Sequence, residues 1–171
     1  HQVKEQMAAS TNPRGLTGGL EQAMAGADVF IGVSGGTVDP ALVRTMGPQP
    51  IVFALANPEP EIAPQAAAAH GAAVVATGRS DYPNQINNVL VFPGLFRGLL
   101  DSRARSVDMS MKVAAARALA DIVAEDGASA DFIIPSIFDV RVVPAVAKAV
   151  QMAAAAAGLG TASTPAKIAQ I

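Results

Sequence analysis

The stretch 29-VFIGVSGGTVDPALVRTMGPQPIVFAL-55 decides the fold. It opens and closes on apolar runs, 29-VFIGV-33 and 51-IVFAL-55, and a third follows at 73-AVVA-76. Each run is apolar at successive positions rather than alternating, which suits strands of a parallel sheet covered on both faces. Helix signals lie between them. Asp39 and Pro40 supply an N-cap and a first-turn proline before 41-ALVRTM-46. Glu61 and Pro64 open 65-QAAAAHG-71, where Gly71 stands as the glycine that follows a helix end. Strand, helix, strand, helix, strand is the βαβ pattern, with right-handed crossovers in one sheet.

Beyond residue 91 the periodicity turns helical, over 95-LFRGLLDSR-103, 108-DMSMKVAAARALADIVAED-126 and 142-VVPAVAKAVQMAAAAAG-158. Between the last two, 132-FIIP-135 reads as a short strand or an extended segment. A complete dinucleotide-binding fold starts with a strand, a G-x-G-x-x-G turn and a helix whose N-terminus holds the pyrophosphate. Gly18-Gly19 precedes a helical run and 32-GVSGG-36 has the wrong spacing. The expected class is therefore α/β: the second half of a Rossmann-like parallel sheet with flanking helices and a helical C-terminal part. The strand at 29–33 would lie where a missing partner strand should pair. Residues 1–158 are expected to form this partial domain, and 159–171 a tail with little order.

Composition removes several classes of function. The 171 residues are 51% hydrophobic, much of it alanine and valine, and carry a net charge of -2 from 12 basic and 14 acidic residues. No Lys/Arg cluster tracks phosphates, so nucleic acid is not an expected partner. Cysteine is absent, which excludes disulfides and thiolate zinc sites and fits a reducing, cytoplasmic setting. The apolar runs are far short of the roughly 18 residues that cross a bilayer, and an export signal is not evident. The first residue, His1, reads as a tag remnant or a cut from something longer.

In open α/β sheets ligands bind beyond the carboxyl ends of the strands. There the sequence places 34-SGGT-37, 57-NPEPE-61 and 77-TGRSDYPNQINN-88. A helix starting near Pro83 would set Asn84, Asn87 and Asn88 on one face, with Gln85 elsewhere. Such amides can donate to a carboxylate and accept from a hydroxyl, which suits a hydroxy acid; helix capping and a buried polar network explain them equally. Asn57 before Pro58 makes a turn with or without a ligand. Ser34 with Gly35 and Gly36 either lets the backbone approach a cofactor or makes a plain tight turn. Glu59 and Glu61 read as partners of the next helix dipole. Arg79 either supplies positive charge to an anionic substrate or pairs with Asp81, which is the preferred reading, and His70 is read as a helix C-terminal residue. Arg97, Asp101, Asp139 and Arg141 are read as ion pairs. No catalytic acid–base set and no metal site is assigned.

The segments 28-DVFIGVSGG-36, 51-IVFALANPEPEI-62, 76-ATGRSDYPNQINNVLVFPGLFRG-98, 111-MKVAAARALA-120 and 133-IIPSIFDVRV-142 resemble, in order and spacing, the C-terminal cofactor-binding domain of bacterial malic enzymes. The resemblance runs from about Gly26 to Gly158. It implies NAD- or NADP-dependent oxidative decarboxylation of malate to pyruvate and CO2 with Mg2+ or Mn2+, in dimers or larger homo-oligomers. It makes Asn57 a cofactor- and substrate-facing amide, Asn87 and Asn88 the amides that hold malate beside the nicotinamide, and Ser34 part of the loop passing the cofactor. The family's tyrosine, lysine, metal carboxylates and glycine-rich turn belong to segments before residue 1. This chain alone is therefore expected to be inactive and to need the missing N-terminal part of the same enzyme. The turn at Gly35-Gly36-Thr37 departs from the family's proline-containing loop.

Two other readings belong to different classes. One is a non-catalytic nucleotide- or metabolite-binding module. The other is a structural or interaction fragment in which the unpaired edge of strand 29–33 joins another chain.

Overall fold

A computed structural model describes residues 2–161. The chain divides into two compact units, His1–Val75 and Ala76–Ile171. The first contains α1 (Gln2–Ser10), α2 (Leu20–Met24), β1 (Val29–Gly32), a short 3-10 helix (Pro40–Thr45), β2 (Ile51–Ala54) and α3 (Pro64–Ala69); β3 (Val74–Thr77) crosses the division. The sheet order is β1-β2-β3. β1 and β2 pair in parallel, with Val29 opposite Ile51 and Gly32 opposite Ala54.

The three expected strands form within a residue of their predicted limits. The segment after Asp39 folds as a 3-10 helix. Asp39 caps it by accepting from the Ala41 amide at 2.9 Å, and the Leu42 and Met46 amides bond back three residues, to Asp39 and Val43. Pro48 and Pro50, with no amide protons, stop any longer helical ladder. Below the sheet, Met24, Val43, Met46, Val52, Ile62 and Ala67 make one core. Val43 and Val52 are fully buried, each worth roughly 1.5–3 kcal/mol over an exposed position. The other side of β1 is bare. Val29, Ile31 and Val33 share a face and are 46%, 59% and 73% exposed, so this edge strand is covered on one side only.

The second unit is helical: a single 3-10 turn (Asn88–Leu90), α4 (Phe92–Ser102), α5 (Met109–Asp126) and α6 (Val142–Ala156). Asp108 caps α5 by accepting from the Met111 amide at 3.0 Å. α6 ends at Gly158, whose φ is +67°, with the Leu159 amide returning to the Ala154 carbonyl. That is the left-handed helix stop expected of a glycine there. Residues 132–135 make one isolated bridge, Ser129 with Phe132, and no strand. Met111, Ala115, Leu119, Ile122, Val146 and Val150 form the core of this unit. Of the tail, Leu159 packs on that core and the Thr161 amide donates to the Ser102 carbonyl; residues 162–171 lie outside the described residues.

Candidate functional site

In the first unit the ends of β1 and β2 meet at one side chain. Glu61 is 2% exposed. Its Oε1 accepts from the Ser34 amide at 3.1 Å and the Gly35 amide at 3.3 Å, and its Oε2 accepts from the Ala56 amide at 3.3 Å. These amides lie beyond Gly32 and Ala54, the last paired residues of the two strands, and the carboxylate takes the place of further ladder partners. Burial pushes the Glu61 carboxyl up. The amides of Glu61 itself, Ala56, Ser34 and Gly35 outweigh that, and the group is held below the ordinary value of 4.5. The expectation that Glu61 serves the next helix dipole is thereby corrected: α3 starts at Pro64, and its N-cap Ala63 makes no side-chain bond. Nothing local in 57-NPEPE-61 shows this, because all three partners come from strand ends.

Around that carboxylate Ser34 and Asn57 stand exposed. Gly35 and Gly36 carry φ of +74° and +92°, and a Cβ added to either meets no atom within 4 Å. Only glycine holds this turn without strain, and its outer side is open to close approach. Asn57 is joined to Pro58 by a cis peptide bond. An open glycine turn beside two exposed polar side chains leaves room for a ligand to pass over the strand ends.

In the second unit, the expected single face of three asparagines does not form. Residues 79–87 are not helical. Asn84 is 6% exposed with φ +55°. Its Nδ2 donates to the Ala130 carbonyl at 2.8 Å and its Oδ1 accepts from the Ile133 amide at 2.9 Å. It ties the loop to the segment before α6. The loop also returns to the end of β3, where the Ile86 amide donates to the Thr77 carbonyl at 2.8 Å. Asn87 and Asn88 start the 3-10 turn. Asn87 caps it by accepting from the Val89 amide at 3.0 Å, and Asn88 is exposed, with no side-chain hydrogen bond among the described residues.

The charged residues behave as expected. Arg79 grips Asp81 with two hydrogen bonds, at 2.9 and 2.8 Å, and lies 5.5 Å from the Tyr82 ring centre. The pair lowers the Asp81 carboxyl below its ordinary range, chiefly through the Arg79 hydrogen bonds. Arg97 pairs with Asp101, and Arg141 with Asp126 and Asp139. His70 closes α3, its Nδ1 2.8 Å from the Ala66 carbonyl oxygen. Among the described residues no group of three His, Cys, Asp or Glu could hold a metal ion. No helix among the described residues is long and apolar enough to cross a membrane.

Residues 2–157 match the family model of the malic enzyme NAD-binding domain. The chain is 53% identical over 158 residues to the bifunctional malic/malolactic enzyme of Bacillus subtilis (strain 168), covering 92% of this chain and 38% of that protein. It is 53% identical over 156 residues to the NAD-dependent malic enzyme of Geobacillus stearothermophilus, covering 91% and 32%. The solved malic enzyme of Pyrococcus horikoshii Ot3 superposes with a TM-score of 0.85 at 46% identity, over 90% of this chain and 36% of that one. Curated relatives are named for NAD and for NADP. The chain thus spans about a third of the length of these relatives. Family model, sequence relatives and solved structure agree, and the chain belongs to the malic enzyme family as part of its NAD-binding domain.

Proposed function

We propose that this chain is the part of an NAD- or NADP-dependent malic enzyme that carries cofactor- and malate-binding amides, in an enzyme converting malate to pyruvate and CO2. One observation carries the reading. In a segment matched to the NAD-binding domain, the ends of β1 and β2 are tied together at Glu61, with Ser34, the open Gly35-Gly36 turn and Asn57 beside them. The bound nicotinamide supplies the hydride acceptor. Ser34 and Asn57 orient it. In the second unit Asn87 and Asn88 donate to the malate carboxylates and accept from its hydroxyl. Neutral amides do this without titrating, so they hold the substrate across a wide pH range.

General acid–base groups and the ligands of Mg2+ or Mn2+ are assigned to the rest of the enzyme, since amides cannot move protons at the required rate. A cytoplasmic homo-oligomer is the proposed working form. The test is an assay of the complete enzyme for malate-dependent reduction of NAD+ and NADP+, with pyruvate and CO2 measured together. Equal yields of pyruvate and reduced cofactor support the reading. Absence of malate-dependent reduction with either cofactor overturns it and favours the non-catalytic binding module.

A further inference from the structure

We propose that Glu61 is a positioning residue for the cofactor site, fixing the loop from Ser34 to Val38 against the turn at Ala56-Asn57. The inference rests on the reading of Ser34 and Asn57 as groups that face the cofactor. The geometry is a clamp on both ends of one loop. Its first residues, Ser34 and Gly35, donate their amides to the Glu61 carboxylate, and its last, Val38, donates to the Glu61 backbone carbonyl at 2.8 Å. The other carboxylate oxygen holds the Ala56 amide. One residue therefore sets the path of the chain after both the β1 and the β2 end.

The loop needs such a clamp. Gly35 and Gly36 leave its backbone freer than any other residue pair would, and nothing packs on their outer side. A buried carboxylate persists only where donors satisfy it, and here every donor is a backbone amide. Replacement by glutamine keeps the shape but aims an N–H2 group at amides that also donate. Aspartate keeps the charge and falls short by one methylene. Neither substitution touches a ligand directly, so an effect on ligand binding must pass through the loop.

The experiment uses the complete enzyme with Glu61→Gln and Glu61→Asp. Binding of NADH and NADPH is followed by fluorescence titration without malate, alongside thermal midpoints and kcat and KM for malate. Glu61→Gln is expected to raise the cofactor Kd about tenfold or more, the scale on which a small misplacement of a positioned group is felt. Glu61→Asp, which retains acceptors for part of the set, is expected to restore some of that loss. A lowered midpoint with unchanged cofactor Kd in both variants overturns the proposal, because a merely structural carboxylate would give that result. If Glu61→Gln does not fold, Glu61→Asp is judged by the same criterion. If the unsubstituted enzyme binds neither cofactor, the assignment of Ser34 and Asn57 has failed and this inference falls with it.

Discussion

A Cβ built on Gly32 would stand 2.4 Å from the Cδ of Glu61 and 2.6 Å from its Oε2. The last residue of β1 can therefore be nothing larger than glycine while Glu61 keeps its place. Gly32 is paired to Ala54 in the last rung of the ladder, and glycine ordinarily weakens a strand. Its presence is explained by the carboxylate that lies across it. The two residues, 29 apart in sequence, are one structural unit.

Gly32→Ala is expected to destabilise the protein by about 1–3 kcal/mol, the usual cost of overpacking. The Glu61 side chain can give way only by releasing the amides of Ser34, Gly35 and Ala56. The Gly32→Ala/Glu61→Ala double variant should then cost less than the sum of the two singles, because each removes the same arrangement. Additive losses in urea denaturation would separate the two residues energetically.

The acid side of the stability profile carries a second signature. Glu61 titrates below its ordinary value of 4.5 in the folded protein. Its contribution is fully present above the unfolded value and is lost as pH falls through the lower folded one. Below about pH 4.5 the stability of the unsubstituted protein should fall more steeply with pH than that of Glu61→Gln. The lowered carboxyls of Asp81, Asp108, Asp126 and Asp139 are common to both proteins and cancel in the difference. Parallel urea midpoints across that range would remove the ionised state of Glu61 from the account.

What the sequence disclosed and what it hid divide along the range of the interactions. The β strands, the Asp39 cap and the Gly71 and Gly158 stops depend on neighbours within a few positions, and each stands where its local pattern put it. The run Asn84-Gln85-Ile86-Asn87-Asn88 was ambiguous because helical spacing also allowed a shared face. Its true arrangement depends on Ala130 and Ile133, which no local pattern names. Glu61 escaped for the same reason: its acceptor role is defined by the amides of Ser34 and Gly35, distant in sequence. The apolar run at β1 suggested cover on both faces, yet Val29, Ile31 and Val33 are exposed, since periodicity reports suitability for burial and not the presence of a covering element.

Asn84 is accordingly assigned a structural role. Asn84→Ala removes the partners of two backbone groups, the Ala130 carbonyl and the Ile133 amide, and leaves alanine at a φ of +55°. A loss of about 1–3 kcal/mol follows from unpaired buried groups alone. Asn84→Gly relieves the backbone but not the lost bonds, and should fall between the two. A glycine variant as stable as the original would show that the side-chain bonds contribute nothing.

The contact of α4 with α6 depends on two glycines of different tolerance. A Cβ on Gly94 would lie 2.6 Å from the Val146 Cβ, whereas one on Gly98 would lie 2.5 Å from the Ala147 carbonyl oxygen. Gly94→Ala and Gly98→Ala should each cost about 1–3 kcal/mol. Val146→Ala removes the γ methyls but keeps its Cβ, so it should relieve Gly94→Ala in part. It should not relieve Gly98→Ala, whose obstacle is backbone. Thermal midpoints of the two double variants provide the comparison, and equal relief in both would mean that the helices simply move apart.

Asn87 and Asn88 are adjacent, and their local bonding predicts different phenotypes. Asn87 caps the 3-10 turn through the Val89 amide, so Asn87→Ala should cost about 1 kcal/mol of stability, as a lost cap does, in addition to weakening malate binding. Asn88 is exposed, so Asn88→Ala should leave the thermal midpoint nearly unchanged. In the complete enzyme it should nevertheless lower kcat/KM for malate by the equivalent of ~1–3 kcal/mol, the cost of one unpaired polar partner in the ligand complex. Steady-state kinetics and thermal melts on the same preparations decide the matter. An Asn88→Ala enzyme with unaltered kcat/KM would take that amide out of the substrate site and leave the 3-10 turn with a capping role alone.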